Sequence, residues 1–112
     1  MQSTPILTLP IVAAGVIAAA RFATPAGAQA GAGANTLGVN RFALAAGERG
    51  AVDALGTAVV EAGAAVSVNA TIQSNASGQA ITWASGAKVA VALSAATAAG
   101  QMIEVMLIPN AA

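Results

Sequence analysis

The chain has 112 residues, four basic and four acidic side chains with net charge zero, and no histidine, cysteine or tyrosine. That length suits one domain; the missing residue types exclude a disulfide framework, a Cys-based zinc site and the usual general bases and nucleophile–base pairs, and the balanced charge leaves no footprint for nucleic acid or an anionic membrane. The apolar content is mostly alanine (33 Ala against two Phe and one Trp), and burial is worth only about 0.8 kcal/mol per CH₂-sized group, so an isolated copy is predicted to be marginal and to gain buried area by assembling.

Residues 1–10 read as an extended arm, with residues 11–112 as a single β-rich domain. The arm has two prolines and no helical spacing, and Ile6 and Thr8 alternate with Leu7 and Leu9. Thr4, Pro5, Ile6, Leu7, Thr8, Leu9 and Pro10 are its candidate contact residues, laid on a larger assembly or on a neighbouring subunit as an added strand. On this reading, deletion of residues 1–9 leaves the fold intact. The apolar stretch from Ile6 to Ala20, followed by small residues at Ala26-Gly27-Ala28, imitates a secretory signal. It fits that role badly, because no Lys or Arg precedes it and Pro5 and Pro10 interrupt it.

Between Pro10 and Thr24 a helix bounded by Pro10 and Pro25 competes with a strand over Val16–Ala23, and the strand is preferred. Residues 26–35 form a Gly/Ala loop. Arg49–Leu55 and Thr57–Glu61 are strand candidates pivoting at Gly56. From Ala65 to Ser74, Val66, Val68, Ala70 and Ile72 alternate with Ser67, Asn69, Thr71 and Gln73, which predicts a half-buried strand. Asn75-Ala76-Ser77-Gly78 is a turn signal, so Thr71–Ser74 and Gln79–Trp83 form a predicted hairpin with Ile81 and Trp83 on one face. In Lys88–Leu93, Val89, Val91 and Leu93 oppose Lys88, Ala90 and Ala92. In Met102–Ile108, Ile103, Val105 and Leu107 oppose Glu104. A short helix near Ala95–Ala99 is possible, so the fold class is mainly β, a small barrel or sandwich with at most one or two short helices.

There is an internal echo. Ala45-Ala46-Gly47-Glu48 followed by Val52 matches Ala98-Ala99-Gly100-Gln101 followed by Val105, each a small-residue turn entering a strand. Duplication is one source of such a match, and low complexity is another.

Chemistry-bearing patterns are weak. Ser85-Gly86-Ala87-Lys88 has Ser and Lys three apart, but at a strand edge rather than on the helix that Ser-x-x-Lys acylation uses, and a turn into a strand is the simpler reading. Glu48 with Asp53, and Asp53 with Glu61, are the paired carboxylates, with solvated strand charges as the simpler explanation. Gly27–Gly33 matches no phosphate-cradling motif. Asn69-Ala70-Thr71 and Asn75-Ala76-Ser77 are glycosylation triplets that matter only in a eukaryotic secreted protein. Trp83 is read as a core anchor beside Ile81 or as an oligomer-interface hot spot. No cofactor and no catalytic residue is predicted.

The blocks Thr24-Pro25-Ala26-Gly27-Ala28-Gln29-Ala30-Gly31, Thr36-Leu37-Gly38-Val39, Ala46-Gly47-Glu48-Arg49, Val52–Val60 and Ala98–Pro109, in this order, resemble the head-decoration or capsid cement proteins of tailed bacteriophages. The resemblance runs from about Thr8 to Pro109. It implies a compact barrel-like or sandwich domain and a homo-oligomer, a trimer before a dimer. It also implies attachment to the major capsid protein on the outer face of an expanded phage head, after synthesis in the host cytoplasm. The alternatives are a tail or fibre component, a secreted Ala/Gly-rich surface protein, and a small-molecule binding module or enzyme.

Overall fold

The computed structural model describes residues 5–108, all of them in strands, bridges, turns or irregular segments with no helix. Eight strands follow one another as β1 (Pro5–Val12), β2 (Arg21–Ala23), β3 (Gly38–Asn40), β4 (Arg49–Glu61), β5 (Thr71–Ser74), β6 (Ala80–Thr82), β7 (Ala90–Ala92) and β8 (Met102–Leu107). Their order in the sheet is β2-β3-β4-β8-β7-β5-β6, with β1 also paired to β4. The far end of this sheet returns to its beginning. The Phe22 N–H donates to the Gly78 carbonyl (2.8 Å) and Arg21 Nη1 donates to the Ser77 carbonyl (2.9 Å), nearly closing a barrel.

Gly56 explains how β4 serves two neighbourhoods. The predicted pair of strands is one 13-residue strand, paired with β1 up to Gly56 and with β8 from Thr57 onward. At the changeover Gly56 has φ +92°, a region that costs a residue with a Cβ about 1–2 kcal/mol. Gly56→Ala is therefore expected to lower the unfolding free energy by that amount, read as a lower urea midpoint with the slope of the transition unchanged.

Several expectations match the structure. Ile103, Val105 and Leu107 are buried and Met102 and Met106 exposed, as alternation along β8 requires. The 71–83 hairpin forms in the register Ile72↔Thr82, Gln73↔Ile81, Ser74↔Ala80. Its turn is held by Asn75 Oδ1, which accepts from the N–H groups of Ser77 (2.9 Å) and Gln79 (3.0 Å), and Gly78 takes φ +75°.

Other expectations are corrected. The strand expected over residues 65–74 is only Thr71–Ser74; Val68 and Asn69 form a turn in which Asn69 has φ +72° and Val68 is exposed. Alternation could not reveal this, because a two-residue turn inside an alternating sequence preserves the pattern. Of Val16–Ala23 only the last three residues enter a strand; Ile17 makes an isolated bridge to Leu44. Around Ala95–Ala99 there is no helix, and Ala96 bridges to Val66 instead. In Lys88–Leu93 the buried residues are Val89, Ala90 and Ala92, while Leu93 is exposed. The Gly/Ala loop is tucked in, with Ala30 buried and its N–H donating to the Phe22 carbonyl.

The expected arm falls partly outside the described residues, which exclude 1–4. Residues 5–10 are extended, but they are zipped onto β4 of the same chain, and β1 runs through position 10 to Val12. Deleting residues 1–9 would strip β4 of most of this partner, which is contrary to the expectation of an untouched fold.

The internal echo is a structural duplication. In the first unit, β1 pairs with the first half of β4 in the register Leu9↔Val52, Ile11↔Gly50, Val12↔Arg49. In the second, the second half of β4 pairs with β8 as Ala58↔Val105, Val60↔Ile103, Glu61↔Met102. The β2–β3 pair Phe22↔Val39 corresponds to Thr71↔Val91 between β5 and β7. The bridge Ile17↔Leu44 corresponds to Val66↔Ala96. Both echoed turns use a left-handed glycine, Gly47 (φ +85°) and Gly100 (φ +89°), whose N–H groups reach the carbonyls of Ala13 (2.7 Å) and Ala62 (2.8 Å). Ala20 and Asn69, the two non-glycine residues with positive φ among those described, are counterparts as well.

The cores repeat in the same way. The smaller cluster consists of Ile11, Ala13, Ile17, Ala23, Leu44 and Val52. Its counterparts Val60, Ala62, Val66, Ile72, Ala96 and Val105 all lie in the larger cluster. One strand, β4, closes the first unit and opens the second, with Gly56 at the join.

Candidate interaction surface

Each carboxylate proposed for a pair is engaged structurally. Asp53 is buried, and its two oxygens accept from Thr8 Oγ1 (3.2 Å) and Arg41 Nε (2.8 Å). Glu61 Oε2 accepts from Arg21 Nη2 (2.8 Å) and from Gln79 Nε2. Glu48 Oε1 accepts the Ala45 N–H and closes the first echoed turn. These carboxylates fasten strands and loops to one another. Lys88 lies over the Trp83 ring, 4.6 Å from its centroid, which is cation–π geometry.

The apolar surface carries more information. Leu7, Val12, Val16, Phe42, Val68, Trp83, Leu93, Met102 and Met106 are exposed large hydrophobics. In a chain with eight ionisable side chains of the Lys/Arg and Asp/Glu types, so many exposed apolar groups point to surfaces that become covered. Three of them, Leu7, Phe42 and Met102, line grooves. A groove of about 620 Å³ runs along the seam between the two units, with Phe42, Arg41 and Asp53 on one side and Val59 and Met102 on the other. A second, of about 300 Å³, is lined by Leu7, Leu9, Pro25, Thr36, Leu37, Ala54 and Leu55, all from the first unit.

Comparison with known proteins bears on what such a surface is for. A family model described as phage cement protein matches residues 1–107. The chain belongs to the phage cement protein family. It is accordingly a phage structural protein and a component of the virion. Among solved structures, this cement protein is similar to the head fiber gp8.5 N base of bacteriophage phi29. The TM-score is 0.75 at 16% identity, over 95% of this chain and 97% of that one. At that identity the likeness speaks for the fold. None of the curated proteins matches.

Trp83 of the cement protein is not a core anchor. It is 37% exposed, belongs to neither core cluster, and its Nε1 donates to the Gly86 carbonyl (3.1 Å). The small Ala80 takes the inward position of β6. Of the candidate arm residues, Thr4 lies outside the described residues and Pro5–Pro10 belong to β1. Leu7 and Leu9 line the smaller groove, while Thr8 reaches Asp53. The structure thus separates Trp83, on the second unit, from the arm residues, on the first. Sequence reasoning did not single out Phe42, Leu37 or Met106. The repeat echo was an available signal for one of them: continued by one residue it sets Asp53 against Met106, whereas the equivalence of Arg41 and Leu93 needs a one-residue gap that only the strand pairing reveals.

Proposed function

We propose that the chain decorates the outside of a phage head. It binds the major capsid protein as a homo-oligomer, a trimer before a dimer, and stabilises the expanded shell. The observation that carries this reading is the match to the phage cement family over residues 1–107, and the exposed apolar surface with few ions agrees with a subunit that functions assembled. Fold likeness to the base of a head fiber points to the same particle surface. Membership in a structural family supports a non-enzymatic role.

The mechanism is multivalent cementing. An oligomer that spans several capsid subunits gains from each contact without a new loss of rotational and translational freedom. Because it binds the closed shell in preference to the dissociated one, it raises shell stability by linkage. β1 contributes to capsid contact through side chains more than through an added strand, since Pro10 offers no N–H for a ladder.

The test mixes purified protein with undecorated, expanded, DNA-free shells. Expected results are saturable co-sedimentation, density on the outer head surface by electron microscopy, and a higher shell melting temperature that rises with protein concentration. Failure to bind shells, with density instead on a tail, would remove the capsid assignment in favour of a tail component.

A further inference from the structure

The duplicated units differ in what they leave uncovered. In the first unit Phe22, Ala30 and Val39 are buried in the larger core, the same cluster that holds Ala58, Val89 and Leu107 of the second unit. That contact joins two unlike faces, one from each unit, and each face has a counterpart elsewhere in the chain.

The counterparts of Phe22, Ala30 and Val39 are Thr71, Trp83 and Val91. The strand pairing matches the first and third. Ala30 N–H donates to the Phe22 carbonyl (2.9 Å) just as Trp83 N–H donates to the Thr71 carbonyl (2.7 Å). None of Thr71, Trp83 and Val91 is buried. Around them, Arg41 and Asp53 are replaced by Leu93 and Met106, both exposed. This face of the second unit is more apolar at its rim than the covered one.

The counterparts of Ala58, Val89 and Leu107 are Leu9, Leu37 and Ala54. Leu9↔Val52 corresponds to Ala58↔Val105, and the Leu37 N–H bond to the Ala23 carbonyl (2.8 Å) corresponds to that of Val89 to Ile72 (2.9 Å). The second-unit residues are buried. The first-unit residues line the open 300 Å³ apolar groove. Each kind of face is therefore used once inside the chain and left open once.

We infer that the two open faces mate between copies. The Thr71/Trp83/Val91 face of one copy seats in the Leu9/Leu37/Ala54 groove of the next, repeating between chains the contact the two units make within one chain. The occupant is a second copy because the chain's own interior shows what covers this face. The contact joins unlike surfaces, so it propagates head to tail and closes as a ring or extends as a filament. The inference rests on the reading of the protein as a homo-oligomeric subunit and names the interface.

The test uses the full chain without capsid. Val91→Glu alters one face and Leu9→Glu the other, both at incompletely buried positions. Wild type is expected to run as an oligomer by light scattering, and each variant as the 10.6 kDa monomer, with association weakened roughly 100-fold by a charge in the contact. An equimolar mixture should give 1:1 pairs and nothing larger, since one intact interface remains. That result also shows that both variants fold. The one tryptophan reports in trans: Leu9→Glu, with Trp83 untouched, should shift its emission to the red as the face that carries Trp83 loses its cover. A monomeric wild type, a Leu9→Glu variant that keeps wild-type mass, or a mixture that stays monomeric would each overturn the inference. Shell binding by a monomeric wild type would sink this interface and spare the capsid reading; oligomers that ignore shells would do the reverse.

Discussion

Replacing Arg41 with alanine is expected to destabilise the protein by about 2–3 kcal/mol, more than an exposed arginine usually contributes. The asymmetry of the pair is the reason. The Arg41 side chain is 42% exposed and that of Asp53 only 2%. Removing the guanidinium leaves a buried carboxylate with Thr8 Oγ1 as its remaining partner, whereas removing the carboxylate leaves an arginine that water can solvate. Asp53→Asn is therefore expected to cost less than Arg41→Ala. The duplication supplies a sharper variant. At the equivalent positions the second unit has Leu93 and Met106, so the double substitution Arg41→Leu/Asp53→Met installs a pair this backbone already carries. Exchanging a buried ion pair for apolar groups of similar size is often neutral or stabilising, and the double variant is expected to recover most of the loss. Urea unfolding at one protein concentration checks this. A double variant less stable than Arg41→Ala would show that the ion pair is irreplaceable.

Leu44→Ala is expected to cost about 3 kcal/mol through lost burial and the cavity left in the smaller core. Its particular interest lies in compensation. A Cβ built on Gly50 would stand 2.6 Å from Leu44 Cδ1, so Gly50→Ile alone is expected to overpack by about 1–3 kcal/mol. In the second unit the corresponding residues are Ala96 and Ile103, both buried. Small faces large where large faces small in the first. Leu44→Ala with Gly50→Ile is therefore expected to come within about 1 kcal/mol of wild type, a strong departure from additivity between touching residues. A double variant no better than the worse single would mean that the two units do not share their packing.

Much of the fold was legible in local sequence. The Asn75–Gly78 turn and β8 depend on neighbours a few residues away, and their signals are steric and periodic. Gly56 was visible as a pivot, although whether one strand or two passed through it was not. Where the reading failed, alanine was responsible. Val89, Val91 and Leu93 look like a buried face and Ala90 and Ala92 like its back, yet β7 buries both alanines and exposes Leu93. Small side chains take the inward positions of β7, and Ala80 of β6 is likewise inside while Trp83 is exposed, so hydrophobicity misleads about direction there.

By itself the sequence determined that the protein is β-rich, without histidine, cysteine or tyrosine, short of ions, and built with an echo between residues 45–52 and 98–105. Those are properties of residue type and spacing, and they need no partner. Only the tertiary structure decided that the echo is a duplication, that residues 5–10 lie on β4, and which apolar faces remain open. Pairing and burial join residues far apart in the chain: Val12 meets Arg49 as Glu61 meets Met102, and such equivalences become visible only once the strands are laid side by side.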